Sequence, residues 1–130
     1  MDLAALEQAA AAGCSALVLT ADLPVYGGRQ LDTAVAAADA LPEVVAAVDG
    51  RAVVLVDGGV RRGTDVVKAL CMGAAGVLVG RPVLWGLATG GADGVRAVLL
   101  GLHEELLRAM ALCGAVSLAE LTRDLLAGPR

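Results

Sequence analysis

Short apolar runs alternate along this chain with longer stretches in which apolar residues recur every three or four positions. The short runs are residues 15–20 (SALVLT), 52–56 (AVVLV) and 76–79 (GVLV). Each is too short for a helix and is bounded by Gly, Pro or Asp, which predicts buried strands. Helical spacing runs through 2–12, 30–48, 63–72, 82–88 and 92–113, and a last helix is predicted over 117–127. Gly13 fits the stop of the first helix. Pro42 divides the second or marks a new start. Gly63 or Thr64 fits the cap of the third, and Gly90-Gly91 breaks the stretch that follows Pro82. Ser117 with Glu120 three residues on reads as a capping box. Residues 22–29 (DLPVYGGR) carry a Pro and a Gly pair and read as a loop. Strands that are apolar throughout and alternate with helices predict an α/β domain, a parallel sheet covered by helices. The 130 residues contain no exact repeat and no long linker, so a single domain over 1–130 is expected.

Composition narrows the function classes. Apolar residues make up 58%, above the ~45–50% usual for soluble domains, and mean hydropathy is +0.75, which excludes a disordered chain. The net charge of −4 and the pI near 4.8 provide no basic surface for nucleic acid. Trp85 and Tyr26 are the only aromatics, so no base-stacking face is expected either. No run reaches the ~18 uncharged apolar residues of a membrane span, so no membrane partner is expected. Met1-Asp2-Leu3 lacks a basic leader. Cys14, Cys71 and Cys113 are scattered without CxxC spacing, which fits reduced, buried thiols and a cytoplasmic location.

Candidate chemistry gathers where strands end. Asp57-Gly58-Gly59-Val60-Arg61-Arg62-Gly63 lies between a predicted strand and a predicted helix. Glycine amides and a helix N-terminus make an anion site. Gly58 and Gly59 allow close backbone approach, Arg61 can fork onto phosphate oxygens, and Asp57 can accept from a ligand hydroxyl. A tight turn with a solvated Arg pair is the alternative. Gly80-Arg81-Pro82 repeats the logic at the next strand end. Two adjacent strand ends bearing Gly and Arg could clamp one phosphate, as after the last two strands of parallel barrels. Thr20-Ala21-Asp22 closes the first strand with polar groups facing the same end. His103 sits within a helical stretch beside Glu104 and Glu105 and reads as a surface residue. No cluster suggests a metal.

From Val53 to Leu126 the chain closely resembles the C-terminal end of the FMN-dependent 2-hydroxy-acid oxidases and dehydrogenases, the relatives of glycolate oxidase, lactate oxidase and lactate monooxygenase. The matching residues are VLVDGGVRRGTDVVKALCMGAAGVLVGRPVLWGLATGGADGV and MALCGAVSLAEL. The family fold is a (β/α)8 barrel, and the resemblance implies its seventh and eighth strands plus the C-terminal helices. ALVLTADLP resembles the fourth strand. The implied architecture is an incomplete barrel, with 1–29 resembling the fourth-strand region and 30–130 the sixth helix onward. A whole barrel needs on the order of 250 residues, about twice this chain. Open sheet edges imply self-association.

The resemblance also implies site roles. FMN is the implied cofactor and a small 2-hydroxy acid such as lactate the implied substrate. Asp57 would bond the ribityl chain, and Gly59, Arg61, Gly80 and Arg81 would hold the phosphate beside Gly58. Thr20 would touch the flavin ring, Asp22 would orient the catalytic histidine, and Arg29 would take the substrate carboxylate. The family motif Ser-Asn-His-Gly-Gly-Arg-Gln-Leu-Asp survives here from Gly27 to Asp32, preceded by Val25-Tyr26 instead of Asn-His. An internal deletion joining the loop after strand four to the tail of the strand-six motif accounts for this. The family's flavin-side lysine has no counterpart, since Lys68 falls in a helix. Without that histidine and lysine, no turnover is expected of the chain alone; flavin or phosphate binding without turnover is the other reading.

Overall fold

In the computed structural model, the structure describes residues 3–20 and 37–127. Its elements are α1 (Leu3–Ala11), β1 (Ala16–Thr20), α2 (Ala37–Val48), β2 (Val53–Asp57), α3 (Gly63–Cys71), β3 (Gly76–Leu78) and α4 (Arg81–Leu112). The strands form one parallel sheet in the order β1-β2-β3. The register sets Thr20 beside Asp57, and Asp57 beside Leu78. Three predicted strands thus lie together in parallel, with their carboxyl ends aligned.

The core follows from spacing. Leu41, Val44 and Val48 fall on one stripe of α2 and are buried against Val54 and Val56 of β2 and Ala69 and Ala74. Pro42 lies inside α2 and does not divide it. The carbonyl left without its helical donor belongs to Ala38, an exposed residue, so water can serve it. A second cluster joins Val67 and Cys71 of α3 to Ala109, Met110, Ala115 and Leu121. Burial, with Cys113 adding a smaller effect, raises the Cys71 thiol above its usual range. Cys14 and Cys113 are exposed, against the expectation that all three would be buried.

Helices cover one face of the sheet. In β2, Val54 and Val56 are buried while Val53 is 46% exposed. Parallel partners share a face, and on Val53's face Val18 is 50% and Leu78 40% exposed. β1 and β3 are the outer strands of the described sheet.

Two expectations about helices resolve differently. Gly90 and Gly91 leave helical geometry (φ −149°, ψ 17° and φ 57°, ψ −139°), as predicted, and kink α4. The halves fold back until a Cβ on Gly86 would lie 2.6 Å from the Gly94 carbonyl oxygen. α4 has the length and composition to cross a membrane, but the kink leaves 92–112 as its longer half, with five charged residues. Residues 117–127 form two 3-10 turns, Leu118–Glu120 and Arg123–Leu125, in place of the predicted α-helix. The expected capping box does not form: Ser117 caps no backbone amide with its side chain, and the Glu120 carboxylate accepts instead from the Val116 amide and the Ser117 hydroxyl, both at 3.0 Å. Leu121 and Leu126 join the second core cluster there, and a five-residue interval is not the spacing of a helical stripe.

Leu41 is fully buried. Leu41→Ala is expected to cost about 2–5 kcal/mol of unfolding free energy, read as a lower urea midpoint.

Candidate functional site

The β2–α3 turn is built on two consecutive glycines in the left-handed region, Gly58 at φ 94° and Gly59 at φ 75°. Side-chain-bearing residues rarely adopt that pair of angles. Val60 is buried and anchors the turn from below, while Arg61 and Arg62 point outward and are exposed.

Three amides at the start of α3 are already taken by protein carboxylates. Asp65 Oδ2 accepts from the Arg61 amide at 3.1 Å and the Arg62 amide at 3.0 Å. Glu105 Oε2, from α4, accepts from the Gly63 amide at 2.9 Å. This corrects the expectation that the helix N-terminus itself offers bare amides to an anion, and the cap comes from Asp65, not from Gly63 or Thr64. The donors available to a ligand are the Gly58 and Gly59 amides and the nearby cationic side chains.

Those donors converge. Gly58, Gly59, Arg61 and Arg81 line one cavity of about 440 Å3, floored by Leu41, Val56 and Met72. This is within the range of small-molecule sites, ~300–1,000 Å3. Arg81 opens α4 and Gly80 is its N-cap residue, whose carbonyl accepts from the Val83 amide at 3.0 Å. The two strand-end motifs therefore meet at one place, although Arg61 and Arg81 are 20 positions apart. Asp57 is half-buried at the end of β2, on the sheet face away from α2, with the Thr20 backbone beside it. It does not line this cavity. Asp22 and Arg29, with Tyr26, lie outside the described residues. His103 is exposed on α4 and takes no part in the cavity.

Sequence reasoning missed two residues. Lys68 also lines the cavity. Its ammonium lies 3.8 Å from Asp65 Oδ1 and is largely exposed, so the pairing is weak and the charge stays at the rim. Its i+3 relation to Asp65 was the available signal. Glu105 had no local signal, because its partner is 42 positions away.

The profile of the FMN-dependent dehydrogenase family matches residues 26–128. An L-lactate oxidase of Nostoc sp. is 59% identical over 101 residues, covering 78% of this chain and 28% of the relative. 2-Hydroxyacid oxidase 2 of Rattus norvegicus is 57% identical over 101 residues, covering 78% of this chain and 29% of its own. A crystal structure of mandelate oxidase with benzoyl-formic acid superposes with a TM-score of 0.81 at 47% identity, over 95% of this chain and 36% of that one. Another mandelate oxidase structure, with the monooxide FMN adduct, gives the same score over 95% of this chain and 38% of that one. The chain thus spans less than a third of the length of these curated relatives.

Asp65→Ala removes the acceptor for two amides and is expected to cost about 1 kcal/mol, measured by urea denaturation. Asp65→Asn keeps an oxygen acceptor and is expected to lose less.

Proposed function

Because the chain belongs to the FMN-dependent dehydrogenase family, we propose that it forms the phosphate-holding part of an FMN-binding oxidoreductase acting on 2-hydroxy acids. The observation that carries this is the convergence of Gly58, Gly59, Arg61 and Arg81 on one cavity. The donor set fits the group. Two glycine amides without side-chain bulk and two guanidiniums are what a phosphate dianion requires. The nearest carboxylate, Asp65, is already committed to backbone amides. Gly80 would add its amide beside Arg81. Asp57 and Thr20, at neighbouring strand ends, would meet the ribityl chain and the ring respectively. Bound FMN supplies an acceptor for the two electrons that leave the 2-hydroxy acid.

The remaining roles are proposed for residues between Thr20 and Ala37 in the sequence. Arg29 would take the substrate carboxylate, and Asp22 would orient a base. Oxidation of a 2-hydroxy acid also needs a group to accept the hydroxyl proton. Tyr26 stands where the family motif has histidine, and a free phenol titrates at about 10. The chain alone is therefore proposed to bind flavin without turning over. Relatives named as oxidases of lactate and 2-hydroxy acids indicate the substrate class that a completed assembly would oxidise.

The proposed architecture is part of a (β/α)8 barrel. In such a barrel the fourth and seventh strands are not neighbours, yet β1, which resembles the fourth, pairs along its length with β2, which resembles the seventh. This supports the internal-deletion reading, with β1 in the place of the sixth strand. The outer strands β1 and β3 and the exposed face bearing Val18, Val53 and Leu78 are the proposed surface for self-association.

Titration of FMN with the purified chain is expected to give saturable quenching of flavin fluorescence. Loss of a charge-assisted hydrogen bond, about 1.5–3 kcal/mol, predicts binding weakened about tenfold to a hundredfold in Arg61→Ala. Equal affinity for both proteins would sink the phosphate assignment. Anaerobic addition of lactate is expected to leave the bound flavin oxidised, and bleaching would refute the claim of no turnover.

A further inference from the structure

We infer that Glu105 is a positioning residue for the phosphate-holding turn, acting through the Gly63 amide; this rests on the FMN reading above. The two halves of the cavity sit on separate elements. Gly58, Gly59 and Arg61 precede α3, and Arg81 begins α4. The β2–β3 register sets the two strand ends side by side, and α3 packs against α4 beyond them. There Gly63, the first residue of α3, is buried. A Cβ on it would run into the Leu106 amide nitrogen and the Glu105 carbonyl carbon, and would lie 2.7 Å from Glu105 Cβ. Only a glycine lets the two backbones approach so closely. At the same point the Glu105 carboxylate receives the Gly63 amide at 2.9 Å.

Glu105 faces the site in a second way. It lines a groove of about 470 Å3 together with Arg61, Trp85 and Thr89. Arg61 therefore stands between this groove and the cavity that contains Arg81 and Lys68. Its hydrogen bond fixes Gly63, the residue two places after Arg61. Asp65 holds the Arg61 and Arg62 amides from within α3. Glu105 is the tie that crosses to the second half of α4, against which the first half, carrying Arg81, folds back at Gly86 and Gly94.

A merely structural glutamate would lower stability without distinguishing a phosphorylated flavin from one lacking phosphate. The test compares the wild-type chain, Glu105→Gln and Glu105→Ala for affinity to FMN and to riboflavin. Amide exchange at Gly63 is followed by NMR in the absence of ligand. Glu105→Ala is expected to weaken FMN by up to about tenfold, because a turn without that tie spends less time in the binding geometry, with riboflavin affinity unchanged and Gly63 exchange accelerated. Glu105→Gln keeps an oxygen acceptor and a closely similar shape, and is expected to fall between the other two. Equal losses for FMN and riboflavin, or none for either, would overturn the inference whatever happens to the melting temperature. Unchanged Gly63 exchange in both variants would overturn it as well. A wild-type chain that binds FMN no better than riboflavin would instead overturn the phosphate reading, and the inference with it.

Discussion

A helix N-terminus presents amides that its own backbone cannot satisfy. In α3 the first of these, together with the turn before it, is met by the carboxylates of Asp65 and Glu105. The rest of the site depends on that choice. With those amides engaged, the turn is fixed against both its own helix and α4. The ligand-facing donors are pushed outward onto Gly58, Gly59 and the two arginines. A phosphate held there would be bound by glycine amides and guanidiniums beside a capped helix. The helix dipole still contributes favourably, but two nearby carboxylates offset part of it, which raises the importance of Arg61, Arg81 and Lys68.

The sheet imposes the complementary constraint. α2 and α3 bury Val54 and Val56, while the partners of Val53 on the other face stay exposed. Apolar area left in water contributes nothing to stability, and each buried Val or Leu side chain is worth roughly 1.5–3 kcal/mol. The second cluster, between α3 and α4, supplies burial that the bare face does not. It also fixes the geometry of the site, since the same packing brings Gly63 against Glu105. Stability and cofactor geometry share one interface.

Much of this was legible in the chain. The three strands and the Gly90-Gly91 break follow from local pattern, and the meeting of Arg61 and Arg81 follows from two strand ends in a parallel sheet. Pro42 was misleading because the helix carbonyl it deprives belongs to an exposed residue. The last helix was misleading because Ser117 and Glu120 have the spacing of a capping box without its bonds, and no stripe of apolar residues lies behind them. Glu105 was invisible for a different reason. Its role exists only after two elements pack, and no spacing along one helix encodes it. Thr20 and Asp57 are expected from their strand-end positions only at the same end of the sheet, and the register goes further by setting them side by side.

The central claim is that two turns, twenty residues apart, act as a single phosphate-holding site. Titrating FMN into the 15N-labelled chain and following the backbone amides tests it most directly. The account predicts that the amides of Gly58 and Gly59 and those of Gly80 and Arg81 shift together, saturating at one FMN concentration. Movement of one turn without the other, or of neither, would contradict it.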